Sequence, residues 1–443
     1  MLKKQSIKYN LNDNAKIPSK KVLIITYYWP PSGGVGVQRW MNYALQLKKR
    51  GWEPIILTPE NPQFEIRDEK QMARVAEIPV YKVPIWEPFN FFHKLTGDKK
   101  KGKIQQGLVL ENSRKSFVDK ISVWIRGNLF IPDSRVFWIR SAAKKANEII
   151  QKEGINLMIT TGPPHSIHLI GRNVKRKTGV KWLADFRDPW SKWDILKRLK
   201  TSALSLYFHE RLEQSVINEA NMVSTVSKQL AESFGKAEVL YNGMTMPSEN
   251  TSQLNDEVFV IGYFGMLNEL RNPAHLWMTL DQLCREDPDF AKKLKIRIAG
   301  IVAESIKHEL NKFKWLKGKV AYLGYLSHNQ ILNEYKKCNL LLLLLNKSDN
   351  SKWILPVKFF EYLAAHRMIL CLGEKGSDLE DLINGLDIGE IFSYSDVQQI
   401  RAFIIANFRN ITYPNVSDVD TLLKRFSHER LADKLEELLI KMK

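Results

Sequence analysis

Cysteine is scarce in this chain, and long apolar runs are missing. Cys284, Cys338 and Cys371 are its three cysteines, widely spaced and without a Cys-x-x-Cys pair. That excludes a zinc ribbon and a dithiol redox motif, and an odd count argues against a disulfide framework. A reducing compartment fits this usage. The longest purely apolar run is Leu340–Leu345, far short of the roughly 20 residues that cross a bilayer as a helix. The first apolar run, Val22–Ile25, follows a polar, Lys- and Asn-rich start and is too short for the core of a signal peptide. The expectation is a cytoplasmic protein that at most binds a membrane surface. No Gly-Lys-Ser/Thr follows a glycine loop and no His-Glu-x-x-His occurs, so neither a P-loop nor a zincin site is present.

Basic charge is what the chain has in excess. Its 443 residues carry 67 Lys and Arg against 48 Asp and Glu, a net +19. Residues 1–250 hold 41 basic and 23 acidic residues, or +18, which leaves +1 for residues 251–443. One half therefore suits a polyanion such as anionic lipid, a phosphorylated substrate or nucleic acid. The competing reading is solubility by self-repulsion. With 44% apolar and 26% charged residues the composition is that of a globular protein, and the length suggests two to four domains.

Lys21–Thr26 is a continuous apolar strand of the kind buried on both faces of a parallel sheet. A Pro/Gly loop follows, then a helix over Gln38–Lys49 and a strand over Glu53–Thr58. Helices at Ala142–Glu153, His168–Lys177, Leu204–Glu219 and Lys228–Phe234 alternate with strands at Asn156–Thr161, Lys181–Asp185, Met222–Thr225 and Glu238–Leu240. A polar linker is expected over 247–257. The alternation then restarts, with strands at Val258–Phe264, Lys295–Ala299, Val320–Leu323, Leu340–Leu345 and Met368–Leu372. Helices are expected at Ala274–Arg285, Asn329–Lys337, Val357–Ala365 and Asp378–Asn384, with Ser427–Met442 closing the chain. Two blocks of alternating elements predict two α/β domains with parallel sheets. Ligands of such sheets sit at the carboxyl ends of the strands.

Candidate chemistry gathers at those ends. Gly33-Gly34-Val35-Gly36 opens a helix after the first strand, where backbone amides can hold an anion and glycine allows close approach. It fails as a dinucleotide fingerprint, because Arg39 stands where a third glycine is needed; a ligand-free tight turn competes. Thr160–Ser166 places His165 between a strand and a helix, able to orient a hydroxyl or move a proton; a plain helix-start histidine competes. Ala184–Trp190 sets Asp185 and Asp188 either side of Arg187, as base or hydroxyl clamp; an Asp–Arg pair fixing the loop competes. In the second block, Arg271 precedes a helix and suits a diphosphate. Lys358 and Glu361 open another helix, where Lys358 can neutralise phosphate and Glu361 can accept two ribose hydroxyls. The alternative for Glu361 is a carboxylate complementing the helix dipole.

In order and spacing these motifs resemble a family 4-type bacterial glycosyltransferase of the two-Rossmann-domain GT-B fold. The resemblance runs from about Val22 to the end of the chain. It rests on Gly33–Gly36, Asp185–Trp190, Ser224–Phe234, Tyr241–Met244, Gly265 to Arg271, Ile298–Gly300, Leu323–Leu326 and Lys358–Ala364. It implies two Rossmann-like domains facing across a cleft: 21–246 on the acceptor side and 258–426 on the donor side. A disordered tail over 1–20 and a terminal helix over 427–443, packing back on the first domain, complete the organisation. It also implies transfer of a sugar, hexosyl or related, from a nucleotide sugar to a glycan or lipid-linked acceptor of the cell envelope, without a cofactor or catalytic metal and without nucleic acid. Gly34, Gly36, Arg271, Lys358 and Glu361 become donor-binding residues, and His165, Asp185 and Asp188 catalytic ones; Thr161 or His168 could take the place of His165. The chain departs from the family twice: Trp353 stands eight residues before Glu361, where a second glutamate is common, and Met266 stands where an arginine often follows the glycine. Asp418-Val419-Asp420 has the Asp-x-Asp form of metal-dependent transferases, but is expected in a surface loop. Two other readings stay open, a nucleotide-sugar epimerase of the same fold and a non-enzymatic polyanion-binding protein.

Residues 86–140 fit the alternation badly. They mix aromatics with basic residues, and 94–145 alone hold 13 basic and four acidic residues, a net +9. Interfacial membrane binding combines these two features. The expectation is an insert that docks on the inner face of the cytoplasmic membrane, with a solvated basic surface as its competitor.

Overall fold

The computed structural model describes residues 20–62, 67–87, 117–244, 257–348, 350–410, 414 and 416–443. The tail expected over 1–20 and the expected linker therefore fall almost entirely outside the described residues, as does 88–116 of the insert.

Strand β1 (Lys21–Thr26) is buried from Val22 onward. It pairs in parallel with β2 (Glu53–Pro59) on one side and β4 (Leu157–Gly162) on the other. Adding β3 (Val80–Val83), β5 (Lys181–Phe186), β6 (Met222–Thr225) and β7 (Glu238–Val239) gives a seven-stranded parallel sheet in the order β3-β2-β1-β4-β5-β6-β7. The second sheet comprises β8 (Phe259–Phe264), β9 (Leu294–Ala299), β10 (Val320–Gly324), β11 (Leu340–Leu344), β12 (Met368–Leu372) and β13 (Gly389–Phe392). Its order is β10-β9-β8-β11-β12-β13. The leucine run supplies β11, all five residues buried between β8 and β12. In both sheets the order reverses beside the first strand, between β1 and β4 and between β8 and β11. Those are the crevices where doubly wound sheets hold ligands. The two parallel sheets with flanking helices are the two Rossmann-like units expected.

Strand β3 and strand β13 were not expected; they are edge strands of four residues each, too short to show a pattern. Helices at Asp194–Arg198, Pro288–Lys293, Glu304–Leu310 and Val397–Arg409 were missed as well. Asp418 and Asp420 correct another expectation, since both lie in the helix Val416–Arg425, not in a loop.

The insert divides. Its helix Phe117–Asn128 lies on the surface, whereas Trp138 is fully buried in the first core and donates to the Val83 carbonyl at 3.3 Å. The far end of the chain returns to the first unit. Backbone bonds join Met244 to Phe426 (3.0 Å) and His428 to Met244 (3.3 Å). The helix His428–Met442 then buries Leu431, Leu435 and Leu439 among Val22, Ile24 and Trp40.

Loops at the carboxyl ends of the two sheets touch. Ser227, after β6, donates to the Trp353 carbonyl at 2.8 Å. The backbone of Lys228 donates to the Asp378 carboxylate, and Asn350 donates to the Lys192 carbonyl at 2.5 Å.

Candidate active site

The glycine loop is built by backbone geometry and one arginine. Gly34 has φ +88° and stands as the N-cap of the helix Val35–Lys49, a left-handed conformation that glycine takes without strain. At Gly36 a side chain would collide with Arg187, whose Nη1 lies 2.8 Å from where a Cβ would sit, and would press on the Tyr28 ring at 3.3 Å. Arg187 therefore covers the helix start and brings a guanidinium to the amides there. It also pairs with Asp188 at 3.3 Å.

Asp185 has a different part from the one expected of it. Register places it between Thr161 of β4 and Ser224 of β6. Both neighbours donate to it, at 2.9 and 2.8 Å, and Trp40 adds a bond of 2.7 Å. Arg39 completes the set with Nη2 at 2.8 Å and Nε at 3.3 Å. The carboxylate has no exposed surface. Burial by itself would raise its pKa, but the Arg39 charge and these hydrogen bonds reverse that and hold it below the usual carboxylate range. With five donors on two oxygens, Asp185 has no capacity left for a substrate hydroxyl, and its negative form is too well stabilised to be a useful base. This corrects the catalytic assignment. Asp185 is the bolt that fixes the glycine-loop helix to the strand ends. The loop is indeed held by an Asp–Arg pair, but the arginine is Arg39, 146 residues away in sequence.

His165 and Asp188 do come together. Both line a cavity of about 230 Å³, with Tyr28, Arg187, Trp190 and Trp193. The His165 ring lies parallel to Trp190, at 5.2 Å and 4°. It is buried, and neither ring nitrogen has a hydrogen-bond partner. Burial, reinforced by His168 and His209, pushes its pKa well below the ordinary histidine value. Burial keeps the imidazole neutral, both ring nitrogens are sealed from solvent, and a buried polar group left unpaired in this way calls for a partner. Of the two alternatives, Thr161 is engaged with Asp185, and His168 with Thr160 through Nδ1 at 3.0 Å while its Nε2 has no hydrogen-bond partner. Asp133, from the insert, caps the helix Ser166–Thr178 beside His165 through the Ser166 backbone and hydroxyl, at 2.9 and 3.0 Å.

The second unit brings Arg271, Lys358 and Glu361 together. Arg271 donates through Nε to the neutral Asn346 side chain at 2.7 Å, which holds its direction without cancelling its charge. Lys358 lies in the first turn of the helix Val357–Ala364. Its ammonium rests against Gly265, where any side chain would strike it. Gly265 is required by its backbone conformation (φ +153°). Burial, then the nearby Arg271 charge, lowers the Lys358 pKa to about 8, with Glu361 opposing. Two cations held this close pay a mutual cost that a bound dianion relieves. Glu361, one turn on, accepts from the Tyr335 hydroxyl at 2.8 Å. Among the described residues, no group of three or more His, Cys, Asp or Glu side chains is placed to hold a metal ion.

Arg187, Asn346 and Tyr335 were not singled out in the sequence. The Asp-Arg-Asp order around Arg187 was the only signal for any of them, because the other two act through partners distant in the chain.

No family model matches the sequence, and no curated protein matches it. Solved structures do match in fold. A glycosyltransferase from Rickettsia africae ESF-5 has 15% identity and TM-score 0.57, covering 96% of this chain and 99% of its own. A sucrose-phosphate synthase from Thermosynechococcus elongatus has 11% identity and TM-score 0.63, with coverages of 95% and 98%. Anabaena HepE, solved with UDP, has 12% identity and TM-score 0.60, with coverages of 95% and 100%. At such identities the likeness establishes the fold, which is GT-B.

Proposed function

We propose that this chain is a metal-independent, family 4-type glycosyltransferase that moves a sugar, hexosyl or related, from a nucleotide-sugar donor to a glycan or lipid-linked acceptor in bacterial cell-envelope synthesis. The observation that carries the reading is the Arg271–Lys358 pair at the switch-point crevice of the second sheet, with Glu361 one helical turn away. The pair matches the two negative charges of a diphosphate, and Glu361 matches a ribose diol. The Anabaena neighbour, solved in complex with UDP, supports the same class of donor.

In this reading the diphosphate leaving group is stabilised by Arg271 and Lys358, with the Gly34–Gly36 amides and Arg187 facing it from the first unit. Fixed positive charge aimed at a developing dianion is the electrostatic role that a metal otherwise fills. The acceptor hydroxyl enters the His165–Asp188 cavity, where the neutral imidazole orients it and Asp188 draws on its proton. Trp193, partly exposed at the cavity, gives a sugar ring an apolar surface. The protein acts in the cytoplasm, in part at the inner membrane face.

The test is incubation with a panel of UDP- and GDP-sugars and candidate acceptors, with mass spectrometry of the products. Sugar transfer sustains the reading. Conversion of the donor alone into an epimer would replace it with the epimerase. Absence of nucleotide-sugar binding would remove both.

A further inference from the structure

Two helices of the first unit leave their large apolar side chains in solvent. On the helix Phe117–Asn128, Ile121 and Trp124 are exposed, and Leu129 just beyond its end is 63% exposed. On the helix Ala203–Glu219, Leu204 is 67% exposed, Tyr207 52% and Phe208 48%. The spacing of 204, 207 and 208 is that of one helical stripe, and Arg211 extends it, its guanidinium 5.9 Å from the Tyr207 ring.

Asn128 joins the two helices. Its side chain donates to the Lys200 carbonyl at 3.1 Å and accepts from the Ser202 backbone at 2.7 Å and the Ser205 hydroxyl at 3.1 Å. Ile121 and Trp124 lie seven and four residues before Asn128, on the same face of their helix. They therefore run outward from the joint, and on the second helix the exposed stripe starts at Leu204, beside the joint residue Ser205 in sequence but on a different side of that helix. Gly127 seals the contact: a side chain there would meet the Leu199 backbone carbonyl at 2.5 Å. Soluble surfaces rarely gather side chains of this size without a partner.

The charge around them indicates which partner. Residues 197–211 carry Lys197, Arg198, Lys200 and Arg211 against the single acid Glu210. No helix among the described residues is long and apolar enough to cross a membrane. Large aromatic and aliphatic side chains ringed by Lys and Arg are what an anionic lipid interface takes up.

We infer that this two-helix face docks on an anionic bilayer, with Trp124, Leu129, Leu204 and Phe208 entering the headgroup region. The inference deepens the proposed function by deciding for a lipid-borne acceptor. The same two helices also line the acceptor cavity, through Gly127 on one and His209 on the other. An acceptor held in the membrane would thus offer its polar end to His165 and Asp188 while its apolar part stays in the bilayer. The sequence expectation placed docking in the insert as a whole; the face proposed here also takes in Leu204, Tyr207 and Phe208, which lie outside it.

The test is cosedimentation of the full-length protein with vesicles. Phosphatidylcholine vesicles containing about 30 mol% phosphatidylglycerol should bind it, and phosphatidylcholine alone should bind it at least about tenfold more weakly. The Trp124→Ser, Leu204→Ser, Phe208→Ser triple variant should lose at least about tenfold in binding to the anionic vesicles. Each position is exposed, so its circular dichroism and its UDP affinity should match the parent's. Failure of the parent to bind anionic vesicles overturns the inference, as does a triple variant that binds like the parent. A parent dimer that the triple variant dissociates would make the face an interface between copies, which also overturns it. Vesicle binding is read without any sugar transfer, so an inactive enzyme that still binds through this face would sink the proposed function alone.

Discussion

Arg39 and Asp185 form a bidentate ion pair with both side chains essentially out of solvent, at 2.8 and 3.3 Å. The pair ties the helix that follows the glycine loop to the end of β5. Arg39 extends the tie to the Tyr241 carbonyl at 2.8 Å and the Asn242 side chain at 3.2 Å, at the exit from the first unit. Removing one partner strands the other charge in the core.

Arg39→Ala should therefore destabilise the protein by about 3–5 kcal/mol, read by urea denaturation. Because the folded pKa of Asp185 is depressed, its stabilising contribution is present above its unfolded pKa. It is lost as pH falls through the folded value. Acid titration of the parent should show this loss, and the variant should lack it. UDP affinity should change much less than stability. An Arg39→Ala variant as stable as the parent would remove the structural role assigned to the pair.

Lys358 makes the donor site sensitive to alkali. With its pKa lowered to about 8, it is charged below that pH and neutral above it. A bound diphosphate favours the charged form and raises the pKa again. UDP binding at pH 9 should accordingly take up a proton, seen by calorimetry in buffers of different ionisation enthalpy, and affinity should fall as pH rises through 8. Lys358→Met should abolish the proton uptake and weaken binding at pH 7 by about 10–100-fold. Proton uptake unchanged in the variant would refute the assignment.

Both sheets were legible in the sequence because parallel strands buried on two faces read as unbroken apolar runs, such as Val22–Ile25 and Leu340–Leu344. Edge strands such as Val80–Val83 have little burial to write a pattern. The site was legible where a residue lies directly past a strand, as His165, Asp188 and Arg271 do. Position alone did not separate Asp185 from Asp188, three residues apart and both past β5 or at its end. What separates them is the company each keeps: Asp185 meets Arg39, Trp40, Thr161 and Ser224 from three other elements, and none of those contacts is local. The same limit hid Tyr335 behind Glu361.

Glu361 and Tyr335 should differ in what they cost. Glu361→Ala removes the carboxylate proposed for the ribose and should weaken UDP binding by about 10–100-fold. Tyr335→Phe keeps the carboxylate and removes only the hydroxyl that aims it at 2.8 Å, so a loss of a few-fold is expected. Equal affinity of 2′,3′-dideoxy-UDP and UDP for the parent would exclude the ribose role, whatever the variants do.

His165 and Asp188 should act on turnover and leave donor affinity alone. His165→Ala removes the neutral imidazole at the cavity and should lower kcat by about a hundredfold, with UDP affinity within a factor of two or so of the parent's, since Arg271, Lys358 and Glu361 lie on the other unit and His165 touches none of the donor groups proposed for the first. Asp188→Asn keeps the size of the side chain and its contact with Arg187 but cannot take a proton, and should cost a similar factor. The His165 pKa lies well below the ordinary value because the ring is buried. The pH profile of kcat should therefore show no inflection near 6.5, and it should stay flat from about pH 6 until Lys358 titrates. An inflection near 6.5 that disappears in His165→Ala would show that the imidazole works as a titrating base, and would overturn its assignment as a neutral orienting group.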